Sequence, residues 1–228
     1  MKLRAEGICR QFFRTTKLSN VFWAVKEADL TLEPGELLML TGRSGSGKST
    51  LLNMLAGLLE PTAGKVWLDD TDLYRLDDGE RSRLRGRCLG IIPQGQTGLR
   101  SLTVLENVEL PWRLCGETPP AGRALELMER VGIADLKTAF PNELSGGELR
   151  RMAIARALIR EPGIILADEP TGDLDDENTK TIFSILRSAA DNGAAVLLVT
   201  HEEEAAAYAD RVWRMDGGVL TAEPQHRQ

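Results

Sequence analysis

The residues best equipped for chemistry lie in Gly42-Arg43-Ser44-Gly45-Ser46-Gly47-Lys48-Ser49-Thr50. Glycines at this spacing let successive backbone N–H groups curl around phosphate oxygens. A helix starting directly afterwards adds its own free N–H groups and the positive end of its dipole. Lys48 supplies a point charge for the outer phosphates, and the Ser49 hydroxyl is placed to ligate magnesium. The pattern G-x-x-x-x-G-K-[ST] therefore predicts a nucleoside triphosphate site that uses residues 42–50. A plain glycine turn would require neither the apolar run at 37–40 before it nor the one at 51–56 after it.

Five further positions can be attached to that site. The run Ile164-Ile165-Leu166-Ala167 reads as a short buried strand delivering Asp168 and Glu169 at its C-terminal end, the edge where open parallel α/β sheets bind ligands. Two adjacent carboxylates there need a cation or hydrogen bonds to offset their burial. Asp168 is assigned to magnesium, and Glu169 to polarising an attacking water. His201 follows an apolar run at 194–200 and is assigned to a phosphate contact, against the plainer reading of a satisfied core histidine. Gln94 follows the run at 89–92 and can both donate and accept, so it suits magnesium or water, against a simple loop residue. At the start of the chain Phe12 or Phe13 could stack on an adenine ring, with core packing as the competing reading.

The elements that must position these residues follow from pattern and punctuation. Residues 2–13 and 21–32 read as strands of an antiparallel edge, and Glu33-Pro34-Gly35-Glu36 turns the chain into the strand before the phosphate loop. The helix after Lys48 is expected to stop at Glu60-Pro61, followed by a strand at 65–68. Asp69, Asp70, Asp72, Asp77, Asp78 and Glu80 read as a solvated acidic surface rather than a metal site. From about 95 to 160 the texture is helical without buried strands: a helix at 103–115 with a Thr103/Glu106 capping box, and another at 121–131 ended by Gly132. Ser145 and Glu148 form a second capping box before a helix at 149–160, in which Arg150, Arg151, Arg156 and Arg160 read as a solvated face. Two adjacent glycines weaken a helix start, and N–H groups presented to an anion would explain Gly146 and Gly147. A helix carrying Ile182, Ile185, Leu186 and Ala189 on one face leads to the strand at 194–200, Glu202-Glu203-Glu204 favours the start of a further helix, and a hairpin around Asp216-Gly217-Gly218 closes the chain.

With 228 residues and 42% hydrophobic content the chain can bury a core of its own. Three well-separated cysteines, Cys9, Cys88 and Cys115, argue against a disulfide framework and for reduced, buried thiols. No apolar run approaches the roughly 20 residues that span a bilayer, so work at a membrane requires another chain to hold this one there. A net charge of −6 gives no electrostatic footprint for nucleic acid, and no nucleic-acid partner is expected.

In this order the motifs resemble the nucleotide-binding subunit of ATP-binding cassette transporters across essentially the whole chain. The resemblance rests on the phosphate loop at 42–50, Gln94 as the Q-loop, Leu144 to Glu148 as the signature, Ile164 to Glu169 as the Walker B strand, Asp175 in the D-loop and His201 as the switch histidine. Phe12, in Cys9-Arg10-Gln11-Phe12, is similar to the aromatic A-loop position, where tyrosine is more usual. The resemblance implies a P-loop NTPase (RecA-like) α/β core, 1–94 and about 161–228, with an antiparallel β edge and an inserted α-helical subdomain at about 95–160. It implies ATP and Mg2+ as ligands, with Lys48, Gln94, Glu169 and His201 catalytic and Ser49, Gln94 and Asp168 at the metal. It also implies a head-to-tail homodimer in which Ser145, Gly146 and Gly147 cap the ATP of the partner subunit. Integral-membrane permease subunits would hold the pair at the cytoplasmic face of the bacterial inner membrane. Within the family, the stretches 105–111 and 168–175 resemble the lipoprotein-release and macrolide or peptide-export branch. Asp173 stands where those relatives usually carry asparagine, and Gly95-Gln96-Thr97-Gly98 departs from their usual segment. A nucleotide-gated interaction subunit that signals through a membrane partner without moving cargo is the alternative function.

Overall fold

Alternation along the central strands dictates how the layers stack. In the strand Leu37–Thr41, Leu37 and Met39 join one hydrophobic cluster while Leu38 and Leu40 join another; Ile165 and Ala167 separate in the same way from Ile164 and Leu166. A strand with apolar residues on both faces is a strand buried on both faces, as in a covered parallel sheet. A computed structural model describes residues 1–13, 21–95, 98–172 and 174–223.

In chain order the strands are β1 (Leu3–Phe13), β2 (Val21–Leu32), β3 (Leu37–Thr41), β4 (Ala63–Leu68), β5 (Thr71–Asp72), β6 (Leu89–Ile92), β7 (Ile164–Asp168), β8 (Ala195–Val199), β9 (Arg211–Asp216) and β10 (Val219–Ala222). The helices are α1 (Lys48–Leu55), α2 (Asp78–Cys88), α3 (Val104–Leu114), α4 (Arg123–Arg130), α5 (Gly146–Leu158) and α6 (Asp176–Asp191). A six-stranded sheet runs β10-β9-β3-β8-β7-β6, parallel except for the β9–β10 hairpin, and a four-stranded antiparallel sheet runs β2-β1-β4-β5. Register aligns the strand ends: Leu40 pairs with Val199, Val199 with Asp168, and Ala167 with Ile92. Because these strands are parallel and in step, the segments after β3, β8, β7 and β6 leave from one edge, about 4.8 Å apart from strand to strand. One face of this sheet packs with α3, α4, α5 and α6 in a single cluster, and the other packs with α1 and the antiparallel sheet.

Local expectations hold in most places and fail in instructive ones. The helix after Lys48 ends at Leu55, short of Glu60, and the Tyr74 hydroxyl takes up the freed end, 2.6 Å from Met54 O and 2.7 Å from Leu59 O. The acidic stretch is exposed except for Asp72, whose side chain is nearly buried beside Arg75, and from Asp78 it is a helix. Asp77 accepts from the Glu80 N–H and Glu80 accepts from the Asp77 N–H, a capping box inside what reads as an acidic run. α5 begins at Gly146, so the two glycines form its first turn and do not precede it. The four arginines of that helix are not a solvated face: Arg150 is 3% exposed, and Arg151, Arg156 and Arg160 are half-buried, Arg160 lying 4.3 Å from the Trp112 ring centroid. After Glu202 the chain makes a 3-10 turn, Glu203–Tyr208, in place of an α-helix. Of the cysteines Cys9 is buried, while Cys88 and Cys115 are half-buried. Asp173, Gln96 and Thr97 lie outside the described residues.

Candidate functional site

The phosphate loop is held by the β9–β10 turn behind it and by hydrogen bonds of its own. Gly218 N, in the β9–β10 turn, donates to Ser46 O at 3.0 Å, and Ser46 N donates to Arg43 O at 3.2 Å. The Lys48 ammonium is 2.7 Å from Gly42 O and 3.1 Å from Arg43 O, so the side chain is folded back over the loop with little exposure. Gly47 is the N-cap of α1, with φ +109° and no side-chain cap, which leaves the first N–H groups of the helix unsatisfied by the chain itself. The buried Ser46 Oγ has no hydrogen-bond partner among the described residues. Open N–H groups around a buried ammonium fit the phosphates of a nucleotide.

One cleft gathers most of the residues the sequence singles out. Phe12, Gly42, Ser44, Gly45, Gly47, Lys48, Ser49, Thr50, Gln94, Asp168 and Glu169 line it together. Asp168 is buried at the end of β7, with the Ser49 hydroxyl in hydrogen-bonding reach. Burial pushes its carboxyl up. The Ser49 hydroxyl opposes that rise, the neighbouring Glu169 charge adds to it, and Lys48 and Arg150 oppose it in turn. A buried carboxyl beside a hydroxyl and an amide is a hard oxygen-donor set, which fits magnesium better than a softer metal.

Glu169 follows in the left-handed region, φ +48°, where a residue with a Cβ is strained, and its N–H is fixed by donation to Val199 O at 2.8 Å. This conformation sends consecutive side chains to different places, Asp168 into the sheet edge and Glu169 towards His201. Glu169 Oε2 lies 2.9 Å from His201 Nδ1; with the carboxylate ionised, the contact requires the tautomer protonated on Nδ1. His201 is itself well exposed and lines the adjoining cavity with Arg43 and Gly42. The turn that presents it is braced, since Glu202 N donates to Thr200 Oγ1 at 3.1 Å and Thr171 Oγ1 donates to Glu202 Oε1 at 2.7 Å.

Ser145, Gly146 and Gly147 are not brought into this cleft. They open α5, where the Ser145 hydroxyl donates to Glu148 Oε2 at 2.7 Å and accepts from Glu148 N at 3.3 Å. Phe13 is 79% exposed and does not line the cleft; Phe12 does. A second aromatic ring escapes a reading of the sequence: Phe22 faces Phe12 in the β1–β2 register, with ring centroids 5.7 Å apart, and lines the same cleft. The other missed residue is Arg150: α5 buries Met152, Ala153, Ile154, Ala155 and Leu158 around its circumference, so no amphipathic pattern in the sequence marks the inward arginine.

A phosphate loop between a parallel strand and a helix, with a carboxylate pair at the end of a neighbouring strand, defines a P-loop nucleoside triphosphatase. A sequence model of the ABC transporter family matches residues 25–172. The lipoprotein-releasing system ATP-binding protein LolD of Pseudomonas syringae is 46% identical over 195 residues, 84% of this chain and 86% of that protein. An ABC transporter ATP-binding protein of Methanocaldococcus jannaschii, MJ1508, is 42% identical over 199 residues, 86% of this chain and 89% of that protein. The dimeric post-hydrolysis structure of the ATP-binding cassette MJ0796 bound to ADP and Pi superposes with a TM-score of 0.89 at 32% identity, covering 98% of this chain and 99% of that one. The chain belongs to the ABC transporter family, as an ATP-binding subunit that hydrolyses ATP. It is similar to LolD over most of its length, and among the described residues no helix is long and apolar enough to cross a membrane.

Proposed function

We propose that this subunit drives the release or export of an acylated protein or similar amphiphilic cargo from a bacterial inner membrane, as a homodimer held at the cytoplasmic face by integral-membrane permease subunits. The assignment of cargo follows the similarity to LolD, the lipoprotein-releasing system ATP-binding protein. Phe12 stacks on the adenine, residues 42–50 and Lys48 hold the phosphates, and Ser145, Gly146 and Gly147 of the partner subunit close over them. Magnesium, held by Ser49, Gln94 and Asp168, would neutralise phosphate charge. Glu169 takes a proton from the water that attacks the γ-phosphorus while ADP leaves, and His201 fixes the carboxylate and contacts the transferred phosphoryl group. The helical segment at 95–160 passes the closing movement to the membrane partner.

The observation that carries this reading is the 2.9 Å contact between Glu169 and His201 at the edge where the phosphate loop opens. A base oriented by a histidine within reach of the outer phosphate is suited to water attack on that phosphate. Glu169→Gln keeps the shape and loses the base, so turnover should fall by about 10²–10⁴-fold with ATP binding retained. The variant should elute as a dimer with ATP in gel filtration. Turnover within a few-fold of the natural protein would sink the assignment of the base. For the cargo, the membrane protein that co-purifies in detergent is reconstituted in vesicles with an acylated reporter, and ATP-dependent extraction is measured. Activation of the partner without movement of the reporter would overturn transport in favour of signalling.

A further inference from the structure

Arg150 holds the two carbonyls on either side of Gln94. Its Nη1 lies 2.7 Å from Pro93 O and 3.3 Å from Gly95 O, and the side chain is 3% exposed. Only a guanidinium offers donors in a fixed planar fork, and burying one is costly unless its N–H groups are used. Gln94 is exposed and lies two positions past Ile92, the last residue of β6. Beyond the strand, its flanking carbonyls are gripped by a side chain from another element, α5, five positions beyond the N-cap Ser145.

We propose that Arg150 is the positioning residue for Gln94: it makes the placement of that amide in the nucleotide cleft depend on where α5 stands. This rests on the reading that Gln94 works at the nucleotide site. The consequence is mechanical. α5 begins with Ser145-Gly146-Gly147, so a displacement of its first turn is carried through barely one and a half helical turns to the carbonyls of residues 93 and 95. A nucleotide engaged at the start of α5 and a nucleotide in this subunit's own cleft thereby act on one guanidinium.

The test is a cycle on the full chain: the natural protein, Gln94→Ala, Arg150→Met and the double variant, with Arg150→Lys as the variant that keeps the charge and N–H donors but not the planar fork. ATPase turnover and hydrogen exchange at the amides of Gln94 and Gly95 are measured on each. Gln94→Ala and Arg150→Met should each slow turnover by about 10–100-fold, the range for removing a residue that orients a ligand. The double variant should be no slower than Gln94→Ala alone, because Arg150 acts through Gln94. Arg150→Lys should recover part of the loss, and exchange at residues 94 and 95 should quicken in Arg150→Met while the β7 amides stay protected. Losses that multiply in the double variant, or unchanged exchange at residues 94 and 95, would overturn the proposal with the role of Gln94 left standing. Full turnover in Gln94→Ala would remove that role and the proposal with it.

Discussion

Gly47→Ala measures how tightly the phosphate loop is wedged into the fold. A Cβ at Gly47 would run into the Ala24 carbonyl of β2, lying 3.2 Å from its carbon and closer still to its oxygen, and would meet the Met215 methyl of β9 at 2.9 Å. The residue also sits at φ +109°, which L side chains rarely adopt, at a cost of about 1–3 kcal/mol. Forcing a methyl group against backbone adds about 1–3 kcal/mol of overpacking. Gly45→Ala is the internal control. It has φ +76° in the same loop, but nothing lies within 4 Å of its Cβ, so only the backbone term applies, about 1–2 kcal/mol. Thermal unfolding without nucleotide should therefore separate the two: each kcal/mol lowers Tm by about 2–4 °C in a chain of this size. Gly47→Ala should melt about 2–12 °C below Gly45→Ala, and equal melting of the two variants would refute the argument from close approach.

Lys48→Ala removes a charge-assisted phosphate contact and should weaken ATP binding by about 10–150-fold, read by equilibrium titration; undiminished affinity would count against the cradle. The acid limb of stability should depend on Asp210. Burial works against its charge, but donation from the Leu37 N–H at 2.7 Å and from Arg187 at 2.7 Å holds its carboxyl below the usual range. A depressed carboxyl stabilises the fold above the ordinary value of about 3.9 and loses that contribution as pH falls through the folded value. The urea midpoints of the natural protein and Asp210→Asn should thus differ at pH 7 and converge on acidification; a gap constant from pH 7 to pH 3 would rule this out.

Much of the site is legible because its determinants are local. The phosphate loop, the capping boxes at Thr103 and Ser145, and the apolar strand ending in Asp168-Glu169 each depend on residues within a few positions of one another. Family resemblance then extends local motifs to the whole fold, and the matches over 25–172 and to LolD agree with it. Where reading fails, composition points one way and packing another. Arg150 looks like surface charge yet is buried on a helix whose Ala153, Ile154 and Leu158 are buried too.

By itself, the sequence determined the chemistry available: an anion cradle at 42–50, two carboxylates at a strand end, a histidine and a glutamine at two more, and a two-faced apolar pattern in the strands that demands a covered sheet. Only the tertiary structure decided which of these meet. The order β3-β8-β7-β6 sets His201 beside Glu169 and brings Gln94 into the cleft of Lys48, while Ser145 is left outside it. Register and strand order are set by contacts between residues far apart in the chain, here 32 positions between Glu169 and His201 and 57 between Arg150 and Pro93. No local propensity encodes such pairings; they appear when the whole core closes.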